Sequence, residues 1–134
     1  MAEKIQLKLV TPLREVHAGE ADMVLLPAFA GEMGILPGHE LYMTLLNTGF
    51  LVAEDGSEKR YFFVSEGYAE IKDDVVRVLA EVCEPADGID LERAIEAQKR
   101  AEEHLSGSDM TADTVRAQAA LMRSLMRQEI VGLR

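Results

Sequence analysis

The sequence predicts an α+β protein. An N-terminal β-sandwich or flattened barrel covers residues 1–86, and a C-terminal antiparallel helical hairpin covers residues 87–134. Three observations carry this expectation. Ile5, Leu7 and Leu9 alternate with polar neighbours, the period of two that one face of a sheet requires. Leu91, Ile95, Gln98, Ala101 and Leu105 step by three or four, the period of one helix face. Before that change of period, short apolar runs are broken again and again by turn signals, as in sandwiches and barrels. The hexapeptide Ile89-Asp90-Leu91-Glu92-Arg93-Ala94 stands at the seam between the two patterns.

Taken in order, residues 4–10 read as a strand, and 14–18 and 21–27 as short strands ending at Pro27. Residues 28–40 read as a loop, because Gly31, Gly34 and Gly38 can supply positive φ and Pro37 blocks ladder pairing. Strands are expected at 41–46 and 49–54 around Asn47-Thr48-Gly49. Asp55-Gly56, taken as the two central turn residues with positive φ, joins 49–54 to 59–65. Residues 67–72 and 75–84 form a second hairpin around Asp73-Asp74, its last strand rich in valine. Pro85, Asp87 and Gly88 break the pattern.

Asp90 can cap a helix from about Leu91 to His104. Ser106-Gly107-Ser108-Asp109 is a turn, and Thr111 can cap a second helix running to the residue-130 region. Helices joined so briefly lie antiparallel. Their expected facing residues are small: Ala94, Ala97 and Ala101 against Ala119, Ala120 and Leu121. Such a seam buries little area at about 25 cal/mol per Å². The hairpin is therefore expected to be the mobile part.

Composition narrows the function classes. Hydrophobic residues at 48% exclude a disordered chain, and aromatics at 5% with no Trp point to an aliphatic and Met core. The net charge is −10; residues 1–86 hold 7 Lys and Arg against 15 Asp and Glu, and residues 87–134 hold 7 against 9. An acidic body argues against nucleic-acid binding. The last stretch, with Arg116, Arg123, Arg127 and Arg134 against Asp113 and Glu129, suits an acidic partner or a phosphate. Cys83 is the single cysteine, so no internal disulfide forms, and it is expected to be a small buried apolar group. With no signal core and no run of about 20 apolar residues, the chain reads as cytosolic and soluble, meeting a membrane only through a complex.

Enzyme signatures are largely absent. No Gly-rich phosphate loop with its Lys occurs, His17, His39 and His104 have no metal-ligand spacing, and no nucleophile elbow is present. The arginines are better placed. Arg93 and Arg100 lie seven apart on one helix face, and Arg116, Arg123 and Arg127 share a face of the second helix. If the hairpin folds, their guanidinium groups converge and repel unless anions intervene, and Arg forks fit phosphate oxygens. The alternative is a solvated face laced to Glu92, Glu96, Glu102 and Glu103.

The loop Gly31-Glu32-Met33-Gly34-Ile35-Leu36-Pro37-Gly38-His39 resembles the signature loop of the ε subunit of F-type ATP synthases. Val75-Val76-Arg77-Val78-Leu79-Ala80 resembles that family's last strand, and Ile89-Asp90-Leu91-Glu92-Arg93-Ala94 its ATP-recognition motif. The likeness spans the whole chain. Three departures stand out: Glu40-Leu41-Tyr42-Met43 after the His, Glu66 where a second Gly is usual, and Asp73-Asp74 where an Asn often sits.

The resemblance implies a non-catalytic subunit of the central rotor stalk. Its sandwich would bind the γ subunit and rest on the c-ring, with Glu32 and His39 as ring contacts or as loop-stabilising residues. Its hairpin would lie folded on the sandwich, or extended along γ toward the α and β subunits, where it inhibits ATP hydrolysis. No cofactor or metal is implied; ATP is a regulatory ligand that favours the folded form. The implied ATP contacts are Glu84, Ile89, Asp90, Arg93, Ala94, Arg100, Arg123 and Arg127. The implied location is the cytoplasmic face of the cell membrane, peripherally bound. A free-standing nucleotide-sensing β-sandwich protein is the alternative reading.

Overall fold

Eight strands and two helices follow one another in a computed structural model that describes residues 3–107 and 112–134. The strands are β1 (Ile5–Val10), β2 (Glu15–Ala21), β3 (Met23–Ala28), β4 (Gly31–Ile35), β5 (Tyr42–Leu46), β6 (Gly49–Asp55), β7 (Glu58–Lys72) and β8 (Val75–Pro85). A short 3-10 turn, Ala86–Gly88, precedes helices α1 (Leu91–Ser106) and α2 (Ala112–Val131). The chain divides into two compact units, Met1–Pro85 and Ala86–Arg134. The expected turn at Ser108-Asp109 and the cap at Thr111 lie outside the described residues.

In the first unit one continuous sheet runs β2-β1-β8-β7-β5-β3-β4, and β6 bridges β3 and β7. This bridge folds the sheet back on itself and encloses the core, the β-sandwich expected from alternation. Alternate residues of each strand supply that core: Ile5, Leu7 and Leu9 from β1, Val24 and Leu26 from β3, Val76, Val78 and Ala80 from β8. β1 pairs β8 in parallel, Leu7 beside Val76 and Leu9 beside Val78. The other pairs are antiparallel.

Four sequence expectations change. First, Gly31–Ile35 is a strand, paired with β3 from Ala28↔Gly31 to Val24↔Ile35. The loop reading failed because Gly-Glu-Met-Gly-Ile hardly alternates; only Ile35 is buried. Gly31 and Gly38 do adopt positive φ (132° and 85°), but Gly34 is not among the positive-φ glycines. At Gly34 a Cβ would already stand 3.4 Å from Leu25 Cδ2, so the glycine serves close packing. Second, β7 is one strand of 15 residues where two were expected. It pairs β6 up to Val64 and β5 from Gly67, changing partners around Glu66.

Third, Asp55 pairs with Glu58, so the turn residues are Gly56 and Ser57, not Asp55 and Gly56. Only Gly56 of these has positive φ (62°), the pattern of a type II′ corner. Asp73 and Asp74 both have positive φ (51° and 61°), as a two-residue type I′ hairpin requires. The fourth change concerns the helices, below.

In the second unit Asp90 caps α1: its Oδ1 accepts from the Arg93 backbone N–H at 3.2 Å. Gln128 Nε2 donates to Gln98 Oε1 at 2.7 Å, fixing the helix register. Arg134 beyond α2 reaches Ala86 and Ile89 before α1, so the helices are antiparallel. Ala94 and Ala101 are buried on α1, and Ala117 and Ser124 on α2. The α2 seam thus runs through Ala117, Ser124 and Gln128, whereas Ala119 is exposed. Alanine carries little hydropathy, and a polar Ser at a seam position hides the stripe. Ser124 satisfies its hydroxyl by donating to Leu121 O at 2.7 Å.

Candidate functional site

The geometry of the seam decides which arginines share a flank. Gln98 faces Gln128, so levels along the hairpin can be counted at about 1.5 Å per residue. Ala101 and Ser124 then stand nearly level, two small residues that let the helices approach closely. Arg93 and Arg100 each precede a buried alanine by one position, and Arg116 and Arg123 each precede a buried α2 residue by one. In an antiparallel pair, the same angular offset carries residues of both helices to the same flank. Arg127, three residues after Ser124, falls on that flank too. By the same count Arg100, Arg123 and Arg127 lie within about 6 Å along the axis. Arg93 lies about 10 Å back toward the capped end and Arg116 well beyond the cluster.

Among the described residues, Arg93, Arg100 and Arg123 form no ion pair, whereas Lys4, Lys59, Arg60 and Arg77 of the first unit do. The expected lacing of these arginines to Glu92, Glu96, Glu102 and Glu103 is therefore not formed. Glu102 Oε1 instead accepts from Gln98 Nε2 at 2.6 Å.

The other expected ligand residues separate into groups. Asp90, Arg93 and Arg100 are exposed and Arg123 and Arg127 half-buried. Asp90 commits one carboxylate oxygen to the cap. Ile89 and Ala94 are buried, at 5% and 4% exposure, so Ala94 reads as seam packing. Glu84 belongs to β8 in the first unit and is half-buried. Glu32 lies on β4 beside the hairpin tip, opposite Pro27, and is exposed. His39 lies beyond the other end of β4, its Nδ1 2.8 Å from Glu40 O and its ring edge-on to Tyr42. The neighbouring Gly38 N–H donates to Asp74 Oδ1 at 2.7 Å, pinning this loop to the β7–β8 turn.

Two features escaped the sequence. One is an exposed apolar row across three strands, Leu45 opposite Tyr68 opposite Leu79. Their exposures of 63%, 40% and 42% set them apart from the core. Alternation could have placed Leu45 and Leu46 on opposite faces, but only the register aligns the row. The other is the bonding of Arg134 to the carbonyls of Ala86 and Ile89, where the sequence showed only one more basic residue for an acidic partner or a phosphate. Among the described residues no group of His, Cys, Asp and Glu could hold a metal ion. Cys83 is buried as expected, and burial, with Glu84 beside it, pushes its thiol up to about 12. Such a thiol is a poor nucleophile. No helix among the described residues is long and apolar enough to cross a membrane.

Comparison with known proteins covers the whole chain. Residues 4–86 match the family described as ATP synthase, delta/epsilon chain, beta-sandwich domain. Residues 87–132 match ATP synthase, delta/epsilon chain, long alpha-helix domain. The ATP synthase epsilon chain of Nitratidesulfovibrio vulgaris is 40% identical over 132 residues, covering 98% of each chain. That of Desulforapulum autotrophicum is 40% identical over 135 residues, covering 100% of each. Among solved structures, a chain of the Euglena gracilis mitochondrial ATP synthase OSCP/F1/c-ring assembly superposes with a TM-score of 0.69 at 25% identity, covering 96% of this chain and 78% of that one. A chain of the Tetrahymena thermophila mitochondrial ATP synthase central stalk/c-ring shares the fold at 16% identity and a TM-score of 0.60, covering 96% and 97%. Relatives of the same length, both domains included, leave no reason to favour a free-standing sensor, and the chain belongs to the ATP synthase epsilon-chain family.

Proposed function

We propose that the chain is a non-catalytic subunit of the ATP synthase rotor stalk whose hairpin regulates ATP hydrolysis in response to ATP. The rotor role is supported by full-length likeness to epsilon chains and by the likeness to a chain of an F1/c-ring assembly. In this reading the sandwich binds γ and rests on the c-ring, which holds the chain at the cytoplasmic face of the membrane. The row Leu45, Tyr68 and Leu79 offers apolar area for γ, and Glu32 and His39 face the ring. The hairpin folds, or it extends along γ toward the α and β subunits and inhibits hydrolysis. No cofactor is required.

The observation that carries the regulatory part is the arginine flank. Arg100, Arg123 and Arg127 start within about one helical turn of each other along the axis, on one flank of the hairpin. Guanidinium forks so grouped fit the oxygens of a triphosphate with bidentate hydrogen bonds. Arg93 stands about two turns and Asp90 about three turns from Arg100, and Glu84 is a contact implied only by the family resemblance. The same arginines cannot face a triphosphate and an acidic protein segment at once. ATP then shifts the hairpin only by its differential affinity for the folded state.

Titration of ATP into the isolated chain tests this reading. The chain binds ATP, and Arg123→Ala weakens binding by about ten- to hundredfold, the effect of one charge-assisted contact. No detectable binding by the wild type at millimolar ATP sinks the nucleotide part and leaves the rotor role standing.

A further inference from the structure

We propose that Arg134 is a latch that closes the open end of the hairpin by gripping the segment immediately before α1. Its Nη1 donates to the carbonyl of Ala86 at 3.0 Å and to that of Ile89 at 3.3 Å. Both carbonyls lie outside the α1 ladder, whose first accepted carbonyl is that of Asp90, bonded by Ala94 N–H at 3.1 Å; the Ala86 carbonyl also accepts the Ile89 N–H of the 3-10 turn at 3.3 Å. One Nη1 carries two hydrogens, so a single nitrogen can serve both acceptors. The charge on the guanidinium strengthens each bond.

The backbone aims the side chain. After Val131 the chain winds tighter through three successive i→i−3 bonds. Gly132 N–H donates to Glu129 O at 3.1 Å, Leu133 N–H to Ile130 O at 3.0 Å, and Arg134 N–H to Val131 O at 3.4 Å. Ile130, fully buried, anchors the start of this turn. The chain itself joins the two helices at the far end, and Gln98 with Gln128 joins them midway. At the near end Arg134 supplies the polar tie, and it ties α2 to the residues through which α1 leaves the sheet. Opening the hairpin must break it. Arginine stays protonated at any ordinary pH, so the latch is not a pH switch. It rests on the hairpin being able to open and not on nucleotide binding.

Amide hydrogen exchange on the full chain without nucleotide tests the latch. Arg134→Ala exchanges the last turns of α2 and the first turn of α1 about tenfold faster than wild type, while β7 and β8 keep their protection. Arg134→Lys, which keeps the cation but loses the fork, recovers part of that protection. Helix exchange within about twofold of wild type in the Ala variant overturns the latch. So does a loss spread equally over β7 and β8, or a Lys variant no better protected than Ala.

Discussion

Glu66 holds a left-handed backbone, φ 56°, where β7 turns from β6 to β5. A side chain there costs about 1–2 kcal/mol that glycine avoids, offset in part by the greater freedom of glycine in the unfolded chain. Glu66→Gly is therefore expected to stabilise the sandwich by about 0.5–1 kcal/mol, read as a higher urea midpoint at unchanged slope. The departure from the family pattern at this position has a cost that can be measured. Gly67 next to it has no such freedom: a Cβ would stand 2.2 Å from Leu79 O. His17 is a second residue with a physical consequence. Its ring lies tilted against Phe62 with centroids 5.2 Å apart, and burial, with Arg60 nearby, lowers its pKa below 6.5. The folded protein then binds fewer protons than the unfolded chain between that lowered value and 6.5. Stability is full above 6.5 and falls as pH drops through this window. Chemical denaturation at pH 7 and pH 5 should show the loss, and His17→Gln should shrink it; an unchanged pH dependence in the variant refutes the assignment.

Elements with one clear period were legible in the sequence, and those whose residues answer to two demands were not. β1 alternates without interruption and β8 does so from Val76 to Ala80, because each buries one face of aliphatic residues. β4 is held by pairing with β3 and buries little, so its glycines read as loop. β7 serves two partner strands, so the left-handed corner at Glu66 looked like an ending. The α1 seam was placed correctly at Ala94 and Ala101, but α2 was turned from its true face because Ser124 and Gln128 are polar and Ala119 is not. For the site, seven-residue spacing gave the arginine faces, while their common flank required the antiparallel register. The seam also makes a prediction. Ala101 is 3% exposed and stands level with Ser124. Ala101→Leu has no room there and is expected to destabilise the hairpin by about 1–3 kcal/mol. Thermal melting followed at 222 nm should shift down while the tyrosine signal of the sandwich holds; an unchanged helical melt would mean that the helices are not closely packed at this level.

At the scale of the whole molecule, the two units differ in how they are held. The sandwich buries isoleucines, leucines, valines or phenylalanines from seven of its eight strands. The hairpin buries the small residues Ala94, Ala101, Ala117 and Ser124 along its seam, with Ile130 and Ile89 as its buried large side chains, and relies on hydrogen bonds between Gln98 and Gln128 and from Arg134. Burial at about 25 cal/mol per Å² gives such small side chains little stabilisation, and helices of this length are marginal by themselves. The hairpin should therefore open at free energies well below global unfolding. The sequence supplies separate probes for the two parts. All three tyrosines, Tyr42, Tyr61 and Tyr68, lie in the sandwich, and residues 86–134 hold no Phe, Tyr or Trp. Tyrosine fluorescence thus reports the sandwich alone, while ellipticity at 222 nm is dominated by α1 and α2. In a urea titration the 222 nm signal should fall first and tyrosine emission later, a departure from two-state behaviour. Coincident curves would mean that the hairpin unfolds only with the sandwich. A chain of that kind could not move its hairpin between two positions while the sandwich stays folded, and regulation by hairpin movement would have to be given up.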